Sequence, residues 1–316
     1  MADAPSSPVF IVGSYRSGTS IFCWCLGQHP NLVNLPETNW LARLGVDLEN
    51  LYRLGTVNGK YSHLQQANVS QDDFYRLFGE GVDRLMQATN PALIEKSPKP
   101  GKNKRHFARR RSAADPKRRW VDATPENSHY IYPLSKMFPG AKFIHLLRNP
   151  HEVASSLMKF SRTGGRDYEH DEAYRTWTRL TRAAIAGERA LGAGRVLRLR
   201  YEDFTGAPEA AFRQALAFLG EEYAADCLTP LESKINSSEV GPDGVQRDES
   251  TVAAREADQL YREAGAAMPA PAGDAAAYAV LETAFLAQCS SARSAEATAS
   301  VRGVAARFLS LLRKRA

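Results

Sequence analysis

The sequence predicts an α/β protein of three layers, a central parallel sheet flanked by helices, followed by a helical C-terminal tail. Three observations carry this. Short apolar runs alternate with amphipathic helical stretches as far as about Leu219, the pattern of a parallel sheet crossed by helices. The first apolar run passes through a small-residue turn straight into a helix. Beyond about Glu256 the chain becomes Ala-rich with helical spacing.

The elements follow in order. Pro8–Gly13 (PVFIVG) reads as a buried strand and Thr19–Gln28 as a helix stopped by His29-Pro30-Asn31. Leu32–Leu35 is a short strand and Asn39–Leu54 a helix. Phe74, Leu77, Phe78, Val82, Leu85 and Met86 fall at helical spacing and predict a helix over Gln71–Ala88 with Ser70 as its cap. Arg119–Asp122 is strand-like, and Glu126–Phe138 reads as one helix with Pro125 in its first turn. Lys142–Leu147 is a strand, Pro150–Phe160 and Asp171–Leu191 are helices, Arg195–Leu199 is a strand and Pro208–Leu219 a helix. Asn236–Ser250 is rich in Ser, Gly, Asp and Pro and reads as a loop. The expected division is an α/β domain over 1–250 and an Ala-rich helical extension over 251–316.

Composition narrows the classes. The chain has 316 residues, 43% hydrophobic and 24% charged, with a net charge of +6, ordinary for a globular protein, with a mild basic excess that suits an anionic ligand. Cys23, Cys25, Cys227 and Cys289 show no metal-ligand spacing and read as small buried hydrophobes. No apolar run is long enough for a membrane span, and the first strand begins near Pro8, so a cytoplasmic protein is expected. Lys99–Arg119 carries ten Lys or Arg and one acidic residue. It reads either as a solvated insertion or as a positive flap near an anionic ligand. With Phe107 as its only aromatic it offers no stacking series for nucleic acid.

The segment from Gly13 runs Gly-Ser-Tyr-Arg-Ser-Gly-Thr-Ser, with its two glycines five apart between strand and helix. This is the geometry of a phosphate cradle: turn amides, the free N–H groups of the helix start and the helix dipole all face an anion, giving a P-loop-type fold. The nucleoside-triphosphate version places Lys directly after the second glycine; here that place is Thr19, and the cation is Arg16 within the loop. A forked guanidinium suits a delocalised oxyanion.

These residues resemble the sulfotransferases that use 3′-phosphoadenosine-5′-phosphosulfate (PAPS). Arg16-Ser17-Gly18-Thr19-Ser20 is similar to their 5′-phosphosulfate loop, closer to the bacterial and tyrosylprotein-type branches, which use Arg. The run from Phe138 through Arg148 to Ser156 resembles their 3′-phosphate motif, which implies that Arg148 and Ser156 hold that phosphate. Arg200-Tyr201-Glu202-Asp203 resembles a segment whose Tyr meets the adenine, and Lys234–Ser238 falls where a further 3′-phosphate contact, Ser237, is expected. The resemblance spans Val9 to Ser238. It implies PAPS as co-substrate, PAP as product, no metal requirement, and a small-molecule, glycan or lipid acceptor with a hydroxyl.

Glu37, after His29-Pro30 and the second strand, is the expected general base, with Arg16 stabilising charge on the leaving phosphate. Its structural alternative is a carboxylate at the start of the Asn39–Leu54 helix. His129 is the rival base, His145 is expected in the core, and His151 on the surface. The resemblance implies a Lys where Ala123 stands, so either Arg16 suffices, or another cation such as Lys96 serves in its place, or activity is weak. Two other classes stay open: a kinase-like nucleotide enzyme, which needs the missing loop lysine, and a non-catalytic PAP-binding relative.

Overall fold

The computed structural model describes residues 7–96, 115–160, 167–232 and 248–291. Five parallel strands form one sheet: β1 (Val9–Val12), β2 (Leu32–Asn34), β3 (Arg119–Asp122), β4 (Lys142–Leu147) and β5 (Val196–Arg200). Their spatial order is β2-β3-β1-β4-β5. The connections leaving β1 run to one side of the sheet, while β4 is laid on the other side of β1. The carboxyl ends of β1 and β4 therefore flank the point where the winding reverses, which is where such sheets open a crevice for ligands.

Strand periodicity builds the layers. In β1, Phe10 and Val12 enter one core cluster while Val9 and Ile11 enter another. Trp120 and Val121 divide the same way in β3, and Phe143 and Ile144 in β4. On the first face Phe10 packs edge-on to Trp120 at 5.4 Å and beside Phe143 at 5.4 Å. That face is covered by α2 (Asn39–Thr56), α4 (Gln71–Glu95) and α5 (Ile131–Met137). The other face carries α1 (Thr19–Leu26), with Phe22 stacked on Phe212 of α9 (Pro208–Leu219) at 4.8 Å. The short α3 (His63–Gln66) and α8 (Tyr201–Gly206) complete this part of the chain. A third cluster joins α6 (Pro150–Phe160), α7 (His170–Leu191) and α10 (Val252–Ala266) around Trp177, Val153 and Ala254.

The tail packs back onto the core. In α11, residues 275–291, Leu281, Phe285 and Cys289 are buried in the first cluster, and Phe285 lies 5.5 Å from Tyr132. No helix among the described residues is long and apolar enough to cross a membrane. All four cysteines are buried thiols.

Two elements and one residue depart from expectation. The helix expected over Glu126–Phe138 is a 3-10 turn, Pro125–His129, and then α5, with the break at Tyr130. The break puts Pro133 in the first turn of α5, where a missing N–H costs nothing; a continuous helix would bury it mid-run. The helix from Gln71, capped as expected by Ser70 at 3.0 Å from the Asp73 N–H, runs past Ala88 through Pro91 to Glu95. His151 is buried rather than on the surface, because α7 and α10 close over the start of α6: its Nδ1 lies 2.9 Å from the Tyr174 hydroxyl and its Nε2 3.5 Å from Asp258.

The basic stretch ends inside the fold. Lys117 is buried, and its ammonium donates to the carbonyls of Gly27 (2.8 Å), His29 (2.7 Å) and Leu32 (2.8 Å), closing the turn between α1 and β2. All three ammonium protons are thereby used, and the cation sits at the negative end of the α1 dipole. Arg119 pairs with Glu221 at 2.6 Å. Residues 97–114 lie outside the described residues. Lys117→Met is expected to cost about 3 kcal/mol or more in urea unfolding, because three buried carbonyls lose a charged donor and the His29 carbonyl keeps only the Leu32 N–H; a change under about 0.5 kcal/mol would show that the turn holds without it.

Candidate active site

The β1–α1 loop takes a shape that ordinary residues resist. Gly13 has φ +138° and Gly18, the N-cap of α1, has φ +90°. A side chain at Gly18 is barred twice, since a Cβ there would lie 2.5 Å from the Tyr201 ring. Arg16 also stands in the left-handed region, at φ 61°. Strain of this kind in a non-glycine residue persists where the surroundings impose it, and it concentrates at functional sites.

Those surroundings are the second expected cradle. Arg148 follows β4 directly, and its Nη1 donates to the Arg16 carbonyl at 2.8 Å. Arg16 Nε in turn donates to Ser156 Oγ on α6 at 3.0 Å. The Arg148 guanidinium lies over the Tyr201 ring, 4.0 Å from its centroid, and its Nε and Nη2 donate to Glu152 at 3.0 and 2.8 Å. Trp177 on α7 donates its indole N–H to the Arg148 carbonyl at 3.0 Å. Arg16, Gly18, Arg148, Ser156 and Tyr201 thus form one cluster at the carboxyl edge of β1 and β4. Thr19 is buried and Ser20 exposed in the first turn of α1. Ser237 lies outside the described residues.

The cluster has the electrostatics of an anion site. Burial, and then the neighbouring Arg148 charge, push the Arg16 pKa down. The hydroxyls of Ser14 and Ser17 are buried with no hydrogen-bond partner among the described residues. Buried hydroxyls of this kind are uncommon without a ligand or water to complete them. Two crowded guanidiniums, two open hydroxyls and the start of a helix fit a phosphate or sulfate group.

A second group of residues lies where β2 and β3 end. Asp122, fully buried, accepts from the Thr38 hydroxyl at 2.5 Å, the Thr124 N–H at 3.0 Å, the Thr124 hydroxyl at 2.7 Å and the Asn127 amide at 2.7 Å. The Thr124 hydroxyl then accepts the Thr38 N–H at 2.7 Å. This knot pins the residue next to Glu37 to β3. Glu37 is itself exposed, yet enough protein surrounds its carboxyl that lost solvation, followed by the charges of Glu126 and Asp122, raises its pKa. His129 is half-buried, and burial followed by Arg179 lowers its pKa. Ala123 is buried within the second core cluster, and Lys96 stands exposed at the end of α4. His145 lies in the core as expected, with its Nδ1 2.5 Å from a Glu188 carboxylate oxygen. The Asp122 knot was invisible to sequence reasoning, because its members are spread over Thr38 to Asn127. No group of three or more His, Cys, Asp or Glu among the described residues is arranged to hold a metal ion.

Comparison with known proteins adds the family. Residues 8–225 match the model of the Sulfotransferase family. The omega-hydroxy-beta-dihydromenaquinone-9 sulfotransferase Stf3 of Mycobacterium tuberculosis is 32% identical over 105 residues, 30% of this chain and 27% of that protein. The nodulation protein NoeE of Sinorhizobium fredii is 30% identical over 148 residues, 47% of this chain and 30% of that protein. The chain thus spans less than a third of the length of these curated relatives. Among solved structures, the sulfotransferase domain of the Synechococcus PCC 7002 olefin synthase aligns with a TM-score of 0.47 at 20% identity, covering 84% of this chain and 98% of that one. Sulfotransferase STF9 of Mycobacterium avium aligns with a TM-score of 0.43 at 16% identity, covering 86% and 79%. With a family match across more than two thirds of its length, this chain belongs to the sulfotransferase family.

Proposed function

We propose that this chain transfers the sulfonate of PAPS to an acceptor hydroxyl by in-line displacement, with Glu37 as the general base and the cytoplasm as its compartment. One observation carries the reading: the two expected anion cradles touch, through the Arg148–Arg16 bond at 2.8 Å and the Arg16–Ser156 bond at 3.0 Å. In this reading Arg16, Ser17, Gly18, Thr19 and Ser20 hold the 5′-phosphosulfate. Arg148 and Ser156 take the 3′-phosphate, and Tyr201 faces the adenine. Ser237 joins them on the strength of the resemblance alone.

The chemistry asks little of the protein beyond charge and position. The acceptor oxygen forms a new bond to sulfur as the bond from sulfur to the bridging phosphate oxygen breaks. The electron pair leaves with PAP, and the hydroxyl proton passes to the Glu37 carboxylate. Arg16 offsets the charge growing on the leaving phosphate. With Ala123 where many relatives have Lys, that duty falls on Arg16 in our reading. The acceptor class is a small molecule, glycan or lipid bearing a hydroxyl; the lipid named for Stf3 supports the last of these.

Transfer of labelled sulfonate from PAPS to an acceptor panel tests the reading, with Glu37→Gln expected to lower kcat/KM by about 10²–10⁴-fold while PAP still raises the melting temperature. Unchanged turnover would remove Glu37 from its role. Stabilisation by ATP–Mg²⁺ and not by PAP would favour the kinase-like alternative, and PAP binding without transfer to any acceptor would favour the non-catalytic one. The raised pKa of Glu37 has a kinetic sign. A base must be deprotonated to act, so the acid limb of kcat/KM should lie above about 4.3, the ordinary glutamate value. A limb at or below that value would contradict the assignment.

A further inference from the structure

One carboxylate in the site has no assigned work. Glu126 lies in the 3-10 turn after β3 and takes a hydrogen bond on Oε1 from the hydroxyl of Tyr15, the residue before Arg16. Its other oxygen, Oε2, is buried and accepts no hydrogen bond among the described residues. An ionised carboxylate can accept about four, and a buried oxygen left without a donor is destabilising. Nor does Glu126 serve its own turn: the Thr124 N–H goes to Asp122 and the Asn127 N–H to the Thr124 carbonyl. Glu126 and Glu37 are near enough for their charges to interact, with Tyr15, His129 and Arg179 around them.

We propose that Glu126, fixed by Tyr15 beside the donor loop, positions the acceptor by taking a hydrogen bond on Oε2 from a second hydroxyl or ammonium group close to the hydroxyl that reacts. The proposal rests on the sulfotransferase reading above and narrows it: the acceptor is a polyol or amino alcohol rather than a molecule with a lone hydroxyl. The geometry suits the task. Tyr15 couples the carboxylate to the loop that carries Arg16, so the group gripping the acceptor and the group facing the donor share one backbone segment. Near-attack placement of this kind is where a positioning residue contributes most.

The test uses the full chain, labelled PAPS and matched acceptors: methyl glucoside against its monodeoxy analogues, and an amino alcohol against the same alcohol without the amine. The wild type should favour the acceptor with the second donor by about 10²-fold or more in kcat/KM, because the poorer acceptor leaves a buried oxygen unpaired. Glu126→Ala should bring both ratios to within about 3-fold of unity, and the isosteric Glu126→Gln should do so for the amino alcohol, where charge matters. Ratios unchanged in both variants, or a wild type that turns over only lone-hydroxyl acceptors, would overturn the proposal. PAP-induced stabilisation in the same samples separates the two readings. Its absence, with no transfer to any acceptor, overturns the sulfotransferase reading; its presence with unaltered ratios overturns the role of Glu126 alone.

Discussion

The hydrogen bond from the Arg148 guanidinium to the Arg16 carbonyl, 2.8 Å long, joins the loop after β1 to the end of β4, and the arrangement of the site hangs on it. Arg16 sits at φ 61°, a conformation that costs a non-glycine residue roughly 1–2 kcal/mol. A hydrogen bond from a charged donor contributes about 1.5–3 kcal/mol, enough to hold the strained turn. The strain has a use. It turns the Arg16 carbonyl towards Arg148 while the Arg16 side chain reaches Ser156 on α6, so one residue meets both halves of the expected nucleotide site.

Sheet topology makes that bond possible. Adjacent parallel strands β1 and β4 release their loops at the same edge, and the reversal of winding between them leaves room that no crossover helix fills. Tyr201, directly after β5, closes the far side by stacking on Arg148, and it presses against Gly18 so closely that only glycine fits. On the near side the Asp122 knot sets the loop that bears Glu37. Loops from the carboxyl edge of one sheet, after β1, β4, β5 and β2, therefore bring together two guanidiniums, an aromatic face and a carboxylate.

Much of this was legible in the sequence. The β1 turn announces itself through Gly13, Arg16 and Gly18, since few other functions demand two glycines around a cation between strand and helix. β3, β4, α6 and α9 have the predicted bounds, because apolar runs and proline starts mark them locally. What escaped depends on contacts distant in sequence. The burial of Lys117 against three carbonyls looks, in the sequence, like one more charge in a basic run. His151 reads as a surface residue until α10, about a hundred residues later, covers it. The Tyr15–Glu126 bond spans 111 positions and leaves no local periodicity to detect. The split of the expected helix at Tyr130 was readable in principle, since a proline at 133 favours the first turn of a new helix, α5, over the middle of a long one.

The central claim is that Arg16 and Arg148 grip a single ligand together. A double-mutant cycle on PAP affinity, measured by titration calorimetry with Arg16→Met, Arg148→Met and the double variant, tests it most directly. The account predicts that each single change weakens binding by at least about tenfold and that the two are coupled by about 0.5–3 kcal/mol. Affinities that change little, or two losses that simply add, would contradict it.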